Sequence, residues 1–455
     1  MTYNLMDQAW LSVLYRNARS ARLNPVETLR QAAKLHIAYS NPIDRFAVFR
    51  FLMALLYWCR DKTGIEFEDG IPNEWFIFLS EQPHLFELLG DGNRFLQERG
   101  LSRLRPVTDL FHEIPTGNNS WHFRHIRDYA TGVCPHCCVN GILRTPVFVQ
   151  SGIQGMKTGV NGIPPIYSYY IGKSLKENII LNWEMRDPAG EPFWASPQFH
   201  PPDADIPYLA GLTTPGRKLY LHDPVPGKDA CIICGNKGES LVYRIFLEPA
   251  PDINNKFWRD PFVLYRADKD TPFYAENILG SGRTLSDRKY RHILSEYYAS
   301  HGEKGPVCIE LIGFSSEQMK YNDAWSLKLD LDRKNSEGDH GEILAKWDIA
   351  VKNTQLVRYK PNGIVSDRHE NLKKSLKNDL LPDVESKLLK KISSLLLQEK
   401  PDWDEAIKMY QPALRSAARM LVPGVGAKIN LERNRILYSL PDPKKLKVKG
   451  ANDGK

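Results

Sequence analysis

The sequence predicts an α+β protein: an irregular mixed α/β body with a metal-clipped loop region, followed by a C-terminal four-helix bundle. Three observations carry this expectation. Short apolar runs of strand length alternate with helical patterns and Pro- and Gly-rich stretches through most of the chain. Two cysteine pairs, Cys134-Pro135-His136-Cys137 and Cys231-Ile232-Ile233-Cys234, flank 93 intervening residues. Beyond the charged stretch Ser336-Glu337-Gly338-Asp339, apolar residues recur at helical spacing. The boundary is therefore placed there, giving a body over 1–336 and a bundle over 337–455. With 455 residues, 42% of them hydrophobic, the chain is long enough to bury a sizeable core.

Taken in order, Pro42 to Arg60 reads as a helix, because Phe46, Phe49, Met53 and Leu56 share one face, with Arg45 and Arg50 on its edges. It reads as core and not as a site. Asn73 to Gln97 is rich in aromatics and reads as a helix, a turn at Gly90-Asp91-Gly92, and re-entry into the body through Asn93-Arg94-Phe95-Leu96-Gln97. From Gly117 to Val133 aromatic and basic groups interleave, among them Trp121, His122, Phe123 and Arg124. Stacking faces beside guanidinium and imidazole groups suit unpaired bases and phosphates; core packing of Trp121 and Phe123 is the alternative. Ser151 to Gly162 holds a glycine-rich loop that exposes backbone N–H groups and admits close approach of a ligand. It matches neither a Walker A loop nor GxGxxG, and a plain connector is the alternative. Ile166 to Ile171 reads as a strand, and Ser174 with Glu177 forms a capping box for a helix through Trp183. Asp187 to Gly227 is dominated by proline and glycine and reads as irregular apart from a strand at Lys218 to His222. Strands are expected again at Ser240 to Leu247, Pro261 to Arg266 and Val307 to Gly313.

In the last part, four amphipathic patterns follow one another. They run through Ile343, Trp347 and Val351, then Val384, Leu388 and Ile392, then Trp403, Ile407, Tyr410 and Leu414, and finally Ile429, Ile436 and Leu440. Breakers at Pro361-Asn362-Gly363, Pro401 and Pro423-Gly424 separate them, which suits a bundle.

Two residues between paired cysteines let one turn aim both thiolates at a single metal, and two such pairs supply the four ligands of a tetrahedral zinc. Cys134, Cys137, Cys231 and Cys234 are therefore expected to hold one structural zinc ion, joining two distant loops, with His136 or Cys138 able to replace one ligand. Four ordinary thiols are the alternative. No signal-peptide pattern and no apolar run of about 20 residues occur, so a soluble cytoplasmic protein without a membrane partner is expected. In that compartment CxxC pairs favour metal over disulfide.

The net charge is +7, unevenly placed: residues 341–455 hold 23 Lys and Arg against 14 Asp and Glu, whereas the first 340 carry a net charge of −2. A basic C-terminal part points to a polyanion, most simply nucleic acid, and a solvated helical surface is the alternative. There is no HExxH, Walker A or GxSxG pattern, so the chain is expected not to be an enzyme.

Gly155-Met156-Lys157-Thr158-Gly159-Val160-Asn161-Gly162, followed by Ile171-Gly172-Lys173-Ser174-Leu175 and Leu181-Asn182, together with Asn4-Leu5-Met6-Asp7-Gln8-Ala9-Trp10 and Arg94-Phe95-Leu96-Gln97, resembles the CasA family, the large subunit of the type I-E CRISPR surveillance complex Cascade. The resemblance runs over nearly the whole chain, and the cysteine pairs fall where some members carry zinc. It implies the same mixed body and four-helix bundle, no catalysis, and partnership with other Cascade subunits, a CRISPR guide RNA, target duplex DNA and a helicase-nuclease. Such a subunit reads the protospacer-adjacent motif from the minor groove and starts strand separation so that the guide can pair. By position, the loop carrying Gln154, Gly155, Lys157, Gly159 and Asn161 would approach the motif, and Gln318 matches a wedge beside the duplex. Glu317 departs from the family's amide, and a carboxylate cannot donate to groove acceptors. The family's motif-reaching lysine has no clean match, the aligned position falling near Ala250, and Lys256 is the candidate. Phe123 lies where the family touches the guide's 5′ handle, with His122 and Arg124 beside it. Lys373, Lys374, Lys390, Lys391, Arg415 and Arg419 are candidates for DNA-backbone contacts on the bundle. A zinc-stabilised RNA-binding protein outside CRISPR, and a metal-dependent hydrolase, are the competing readings; the hydrolase would need an open metal position.

Overall fold

Asparagine followed by proline opens two helices near the start of the chain. Asn24 accepts the Glu27 N–H (2.8 Å) at the head of α1 (Pro25–Arg30), and Asn41 accepts the Ile43 N–H (3.0 Å) at the head of α2 (Pro42–Thr63). In each the proline takes the first helical position, where its missing N–H costs nothing. Gly64 ends α2 in the left-handed conformation (φ 66°) and returns its N–H to Arg60 O at 2.8 Å. The expected core face is buried, and so is most of the rest of this helix from Ile43 to Cys59. Arg50 departs from the expectation of an edge residue: it is 2% exposed.

The computed structural model describes residues 2–68, 70–114, 132–149, 157–184, 189–227, 229–237, 240–255, 257–263, 265–266, 271–272, 274, 307–317 and 320–331. The chain divides into two compact units, Met1–Val263 with Ile312–Ala324, and Leu264–Leu311 with Trp325–Lys455. The expected boundary near 336 and the bundle over 337–455 lie outside the described residues.

In the first unit, β1 (Tyr3–Asn4) pairs with β5 (Glu87–Leu89), and β2 (Leu11–Tyr15) lies between β3 (Ser20–Leu23) and β4 (Leu35–Ile37). β6 (Leu104–Pro106) and β8 (Arg217–Leu221) flank β9 (Arg244–Pro249), all antiparallel. β7 is Tyr167–Ile171, and β12 (Val307–Glu317) and β13 (Lys320–Leu331) are neighbouring strands whose residues are divided between the two units. A hairpin thus stands where only one short strand at 307–313 was expected. The second unit's remaining described pair is β10 (Tyr265–Arg266) with β11 (Thr271–Pro272), shorter than the strand expected at 261–266. β9 begins later than expected, because Leu241 and Val242 are spent on isolated bridges to Val225 and Val133.

Four further helices stand among the described residues of the first unit. α3 (Asn73–Ser80) buries Trp75, Phe76 and Leu79, and α4 is Pro135–Leu143. α5 (Leu175–Leu181) starts as expected, with Ser174 Oγ accepting the Glu177 N–H at 3.3 Å. The Glu177 carboxylate takes the Lys173 N–H, not that of Ser174, so the box is shifted by one residue. The helix stops before Trp183 because Asn182 turns its side chain to the edge of β7, donating to Tyr170 O and accepting from Tyr170 N, both at 2.8 Å. A sixth helix, α6 (Tyr208–Thr213), lies in the stretch expected to be irregular. Six residues with a glycine inside are too few to show a period. Gly211 is required there, since a Cβ would stand 2.1 Å from the Trp258 ring.

Aromatic side chains fill the space around α2. Phe51, Phe86, Phe95 and Trp194 form one group with ring centroids 5.6–6.1 Å apart, and Phe46, Phe49, Tyr167, Tyr169 and Phe262 form another at 4.9–6.1 Å. Offset and edge-on pairs of this kind add to the burial that holds the core. Among the described residues no helix is long and apolar enough to cross a membrane.

Candidate metal centre and the loop it fixes

The two cysteine pairs meet through backbone pairing that involves neither pair's side chains. Val133 forms an antiparallel bridge with Val242, and Ile232 donates to Gly132 O at 3.1 Å. Gly132 has to be glycine, because a Cβ would stand 2.7 Å from Leu241. Cys134 caps α4 with extended backbone and Pro135 occupies the first helical position, so Cys137 follows one turn in. The second pair sits on a knuckle: Gly235 donates to Cys231 O (2.8 Å), Cys231 donates to Asn236 O (2.9 Å), and Gly235 has φ 74°. Nothing lies within 4 Å of a Cβ built at Gly235, so its requirement is conformational and not steric.

The side chains converge. Cys134 Sγ lies 3.7 Å from Cys234 Sγ and 3.2 Å from His136 Nδ1, and one donor atom each from Cys134, His136, Cys137 and Cys234 falls within 4.8 Å of the others. Cys231, expected as a ligand, lies beside this set and not in it; its sulfur accepts the Cys134 N–H at 3.4 Å. Cys138 is turned away, its thiol donating to Val133 O, and burial pushes that thiol well up. Of the two substitute ligands considered from the sequence, His136 is the one that the fold brings in.

Electrostatics describe an arrangement that lacks positive charge. Cys137 donates to Cys134 and to Cys231, and those bonds with burial hold it protonated. At Cys134 the bond from Cys137 lowers the pKa, but its own donation to Cys231 and burial raise it further. Cys231, receiving from Cys134 and then Cys137, is pulled well below an ordinary thiol. Cys134 and Cys137 thus resist ionisation beside Cys231. A borderline-soft divalent cation would let them ionise, and three sulfurs with one imidazole, almost wholly buried, match zinc's preference. The group can hold one metal ion, with Cys134, Cys137 and Cys234 as sulfur ligands and His136 completing the four.

The far end of α4 is fastened as firmly. Arg144, 1% exposed, grips Asp44 through Nε (2.7 Å) and Nη2 (2.9 Å), and Glu113 through Nη1 (2.7 Å) and Nη2 (2.9 Å). Burial raises the Glu113 pKa, yet the Arg144 hydrogen bonds and charge outweigh it and the net shift is downward. From there Val147, Phe148 and Val149 run buried towards the glycine-rich loop.

Of that loop, residues 157–162 are described. Lys157 is exposed, and its carbonyl accepts from Arg217, whose own pKa burial pulls down to about 10. Gly159 and Gly162 close a tight turn (Gly162 N to Gly159 O, 2.9 Å), with Gly162 at φ 74°. Val160 is buried with Ile206, Ala210 and Ile253, and its carbonyl accepts the Asn255 N–H at 3.0 Å. Asn161 points inward: its amide donates to Asp260 (2.7 Å) and the Tyr167 hydroxyl (3.2 Å). Asp260 in turn is paired with Arg50, both side chains at 2% exposure or less. These buried charges were not identified from the sequence; the signal was Arg50 standing alone inside the apolar run Phe46 to Cys59.

Gln154, Gly155, Lys256, Gln318, His122, Phe123, Arg124, Lys373, Lys374, Lys390, Lys391, Arg415 and Arg419 lie outside the described residues. Glu317 is the last residue of β12.

Comparison with known proteins gives one family and a set of like structures. The family model for the CRISPR-associated protein Cse1 matches residues 4–419. The fold is similar to that of Thermobifida fusca Cse1, at 17% identity and a TM-score of 0.62 over 96% of this chain and 97% of that one. It is also similar to CasA from Thermus thermophilus (16%, TM-score 0.61, 97% and 100%) and to a chain of a CRISPR RNA-guided surveillance complex in a pre-nicking state (14%, 0.58, 96% and 98%). No curated protein matches the chain.

Proposed function

Since the chain belongs to the Cse1 (CasA) family of type I-E Cascade, we propose that it is the non-catalytic large subunit of an RNA-guided surveillance complex. It recognises the protospacer-adjacent motif in duplex DNA and begins strand separation. Its partners are the other Cascade subunits, the CRISPR guide RNA, the target duplex and, after opening, a helicase-nuclease. The observation that carries this reading is the Gly159–Gly162 turn. Val160 packs into an apolar cluster and Asn161 turns onto a buried ion pair, so the turn is held rigid between the exposed residues Lys157 and Ile163. A narrow minor groove, whose edges present a degenerate pattern, suits a reader of that kind.

In this reading the cysteine and histidine group is scaffold. Zinc bound there supplies charge to hold the thiolates together; Cys134 and Cys137 then fix the head of α4, and the second pair ties that head to the knuckle at Gly235. The loop before Cys134, with His122, Phe123 and Arg124, contacts the guide's handle. The loop after α4 reads the motif, with Gln318 as the wedge and Lys256 reaching towards the groove. The C-terminal basic residues contact the DNA backbone from a four-helix bundle, and the protein works in the cytoplasm.

The test is duplex binding by the guide-loaded complex with and without this chain, on targets that differ only in the flanking motif. Binding should depend on the chain and vary with the motif. Equal affinity for all motifs refutes the proposal.

A further inference from the structure

We propose that Asp260, clamped by Arg50, is the positioning residue for the motif-reading turn, and that Asn161 acts by binding Asp260 and not by touching DNA. This rests on the reading of the turn given above. The carboxylate gathers three separate parts of the chain. Arg50, from the middle of α2, reaches Oδ1 at 2.8 Å and Oδ2 at 2.7 Å; the Phe262 N–H reaches Oδ1 at 3.0 Å; and Asn161 Nδ2 reaches Oδ2 at 2.7 Å. Arg50 is itself held by donating to Leu212 O at 3.0 Å. Asn161 is further fixed by Tyr167, whose hydroxyl donates to Val147 O at 3.0 Å.

A buried ion pair is a poor way to stabilise a core, because desolvation of both charges offsets most of their attraction. Its distinctive property is direction. A carboxylate with a full hydrogen-bond set accepts the Asn161 amide in one place only, so the turn is set from α2 outward. The other side of the turn is equally constrained: Val160 is 2% exposed, its carbonyl takes the Asn255 N–H, and a Cβ at Gly162 would stand 3.2 Å from Asn254 Oδ1. With both side chains of the turn committed inward, small shifts of Asp260 become shifts of the turn's main chain and of the exposed Lys157 and Ile163 that flank it.

Two double variants separate this from direct contact and from general destabilisation. Arg50→Met with Asp260→Asn removes the charges but keeps an amide oxygen for Asn161 and Phe262. Arg50→Met with Asp260→Leu removes that acceptor while leaving Asn161 in place. The readouts are amide exchange of residues 157–162 in the full chain, and the affinity ratio between preferred and altered motifs in the assembled complex. The leucine pair should speed exchange across the turn and lower the ratio by about tenfold, the scale of one lost positioning hydrogen bond. The asparagine pair should stay near wild type in both. Wild-type exchange in the leucine pair overturns the positioning role. Faster exchange with an unchanged ratio overturns the link to motif choice, because Asn161 would then be reading DNA or doing nothing. Should the wild-type complex bind all motifs alike, the proposed function fails together with that link, and exchange alone still decides whether Asp260 orders the turn.

Discussion

Replacing Arg144 by methionine removes one buried guanidinium and leaves two carboxylates facing each other across the space it filled. Asp44 is 6% exposed, and its carboxylate would lose both hydrogen bonds from Arg144. The Glu113 side chain is 32% exposed and can draw on water, besides keeping the Asn41 amide at 3.1 Å. The cost is therefore set mainly by Asp44. Breaking one partner of a buried pair costs about 3–5 kcal/mol, and the lower half of that range suits a site in which one of the two acids is partly solvated. At about 2–4 °C per kcal/mol for a unit of this size, thermal unfolding should fall by roughly 6–16 °C. Arg144→Met combined with Asp44→Asn and Glu113→Gln should recover most of the loss, since no uncompensated charge remains. Thermal melts followed by near-ultraviolet circular dichroism, which reports the aromatic core, measure both. A single variant that melts within about 2 °C of wild type, or a triple variant no better than the single, would refute the account.

Other expectations follow from particular contacts. His112 packs edge-on to Phe314 (4.9 Å) with Arg144, Glu113 and Arg217 around it, and burial followed by the Arg144 charge lowers its pKa to about 3. The unfolded imidazole binds a proton that the folded one refuses, so stability is complete above about 6.5 and falls as pH drops towards 3, by up to about 1.4 kcal/mol per unit. Glu113, depressed on balance, loses its contribution as pH falls through its folded pKa and so acts in the same direction. His112→Phe should flatten the stability profile between pH 6 and 4 in urea titrations; an unchanged slope would remove His112 from the explanation. Metal analysis of purified protein should give about one zinc per chain in Cys138→Ser and much less in Cys137→Ser, and equal content in the two would mean that the site is wrongly drawn. Gly211→Ala forces Trp258 aside and should cost about 1–3 kcal/mol with a change in tryptophan fluorescence, whereas a loss under about 0.5 kcal/mol would show that the ring moves freely.

What could be read from the chain in advance was local. The helix from Pro42 follows from an apolar period, and the cysteine pairs from spacing alone. The residues that carried the family resemblance are fasteners of backbone. Arg94 ties Gly90 O and Leu221 O together, Gln97 bridges Leu88 O and the Leu221 N–H, Asn4 holds Pro83 O, and Gly172 donates to Asn178, where a Cβ would collide with Glu177 at 2.3 Å. Pairings over long separations left no such trace. Arg50 meets Asp260 at a distance of 210 residues and Arg144 meets Asp44 at 100, and no period or motif announces either. Asn161 illustrates the difference: its place in the loop was readable, but its inward direction depended on a partner 99 residues away.

The cysteine pairs impose an order on how the protein is made. Each pair is a local bidentate claw that can grasp a metal as soon as it is synthesised, but the complete site requires Val133 to find Val242 and Gly132 to find Ile232 across some hundred residues. Closing so long a loop is slow and entropically costly, and contacts of this separation form late. A metal ion that arrives early therefore meets only half a site and can be exchanged for another. One that arrives after the strands have paired would meet the largely buried sulfurs and the His136 imidazole together. Release of metal from the finished protein should then be as slow as local unfolding around Gly132 and Gly235, so that retention of the ion becomes a clock for the integrity of that part of the chain.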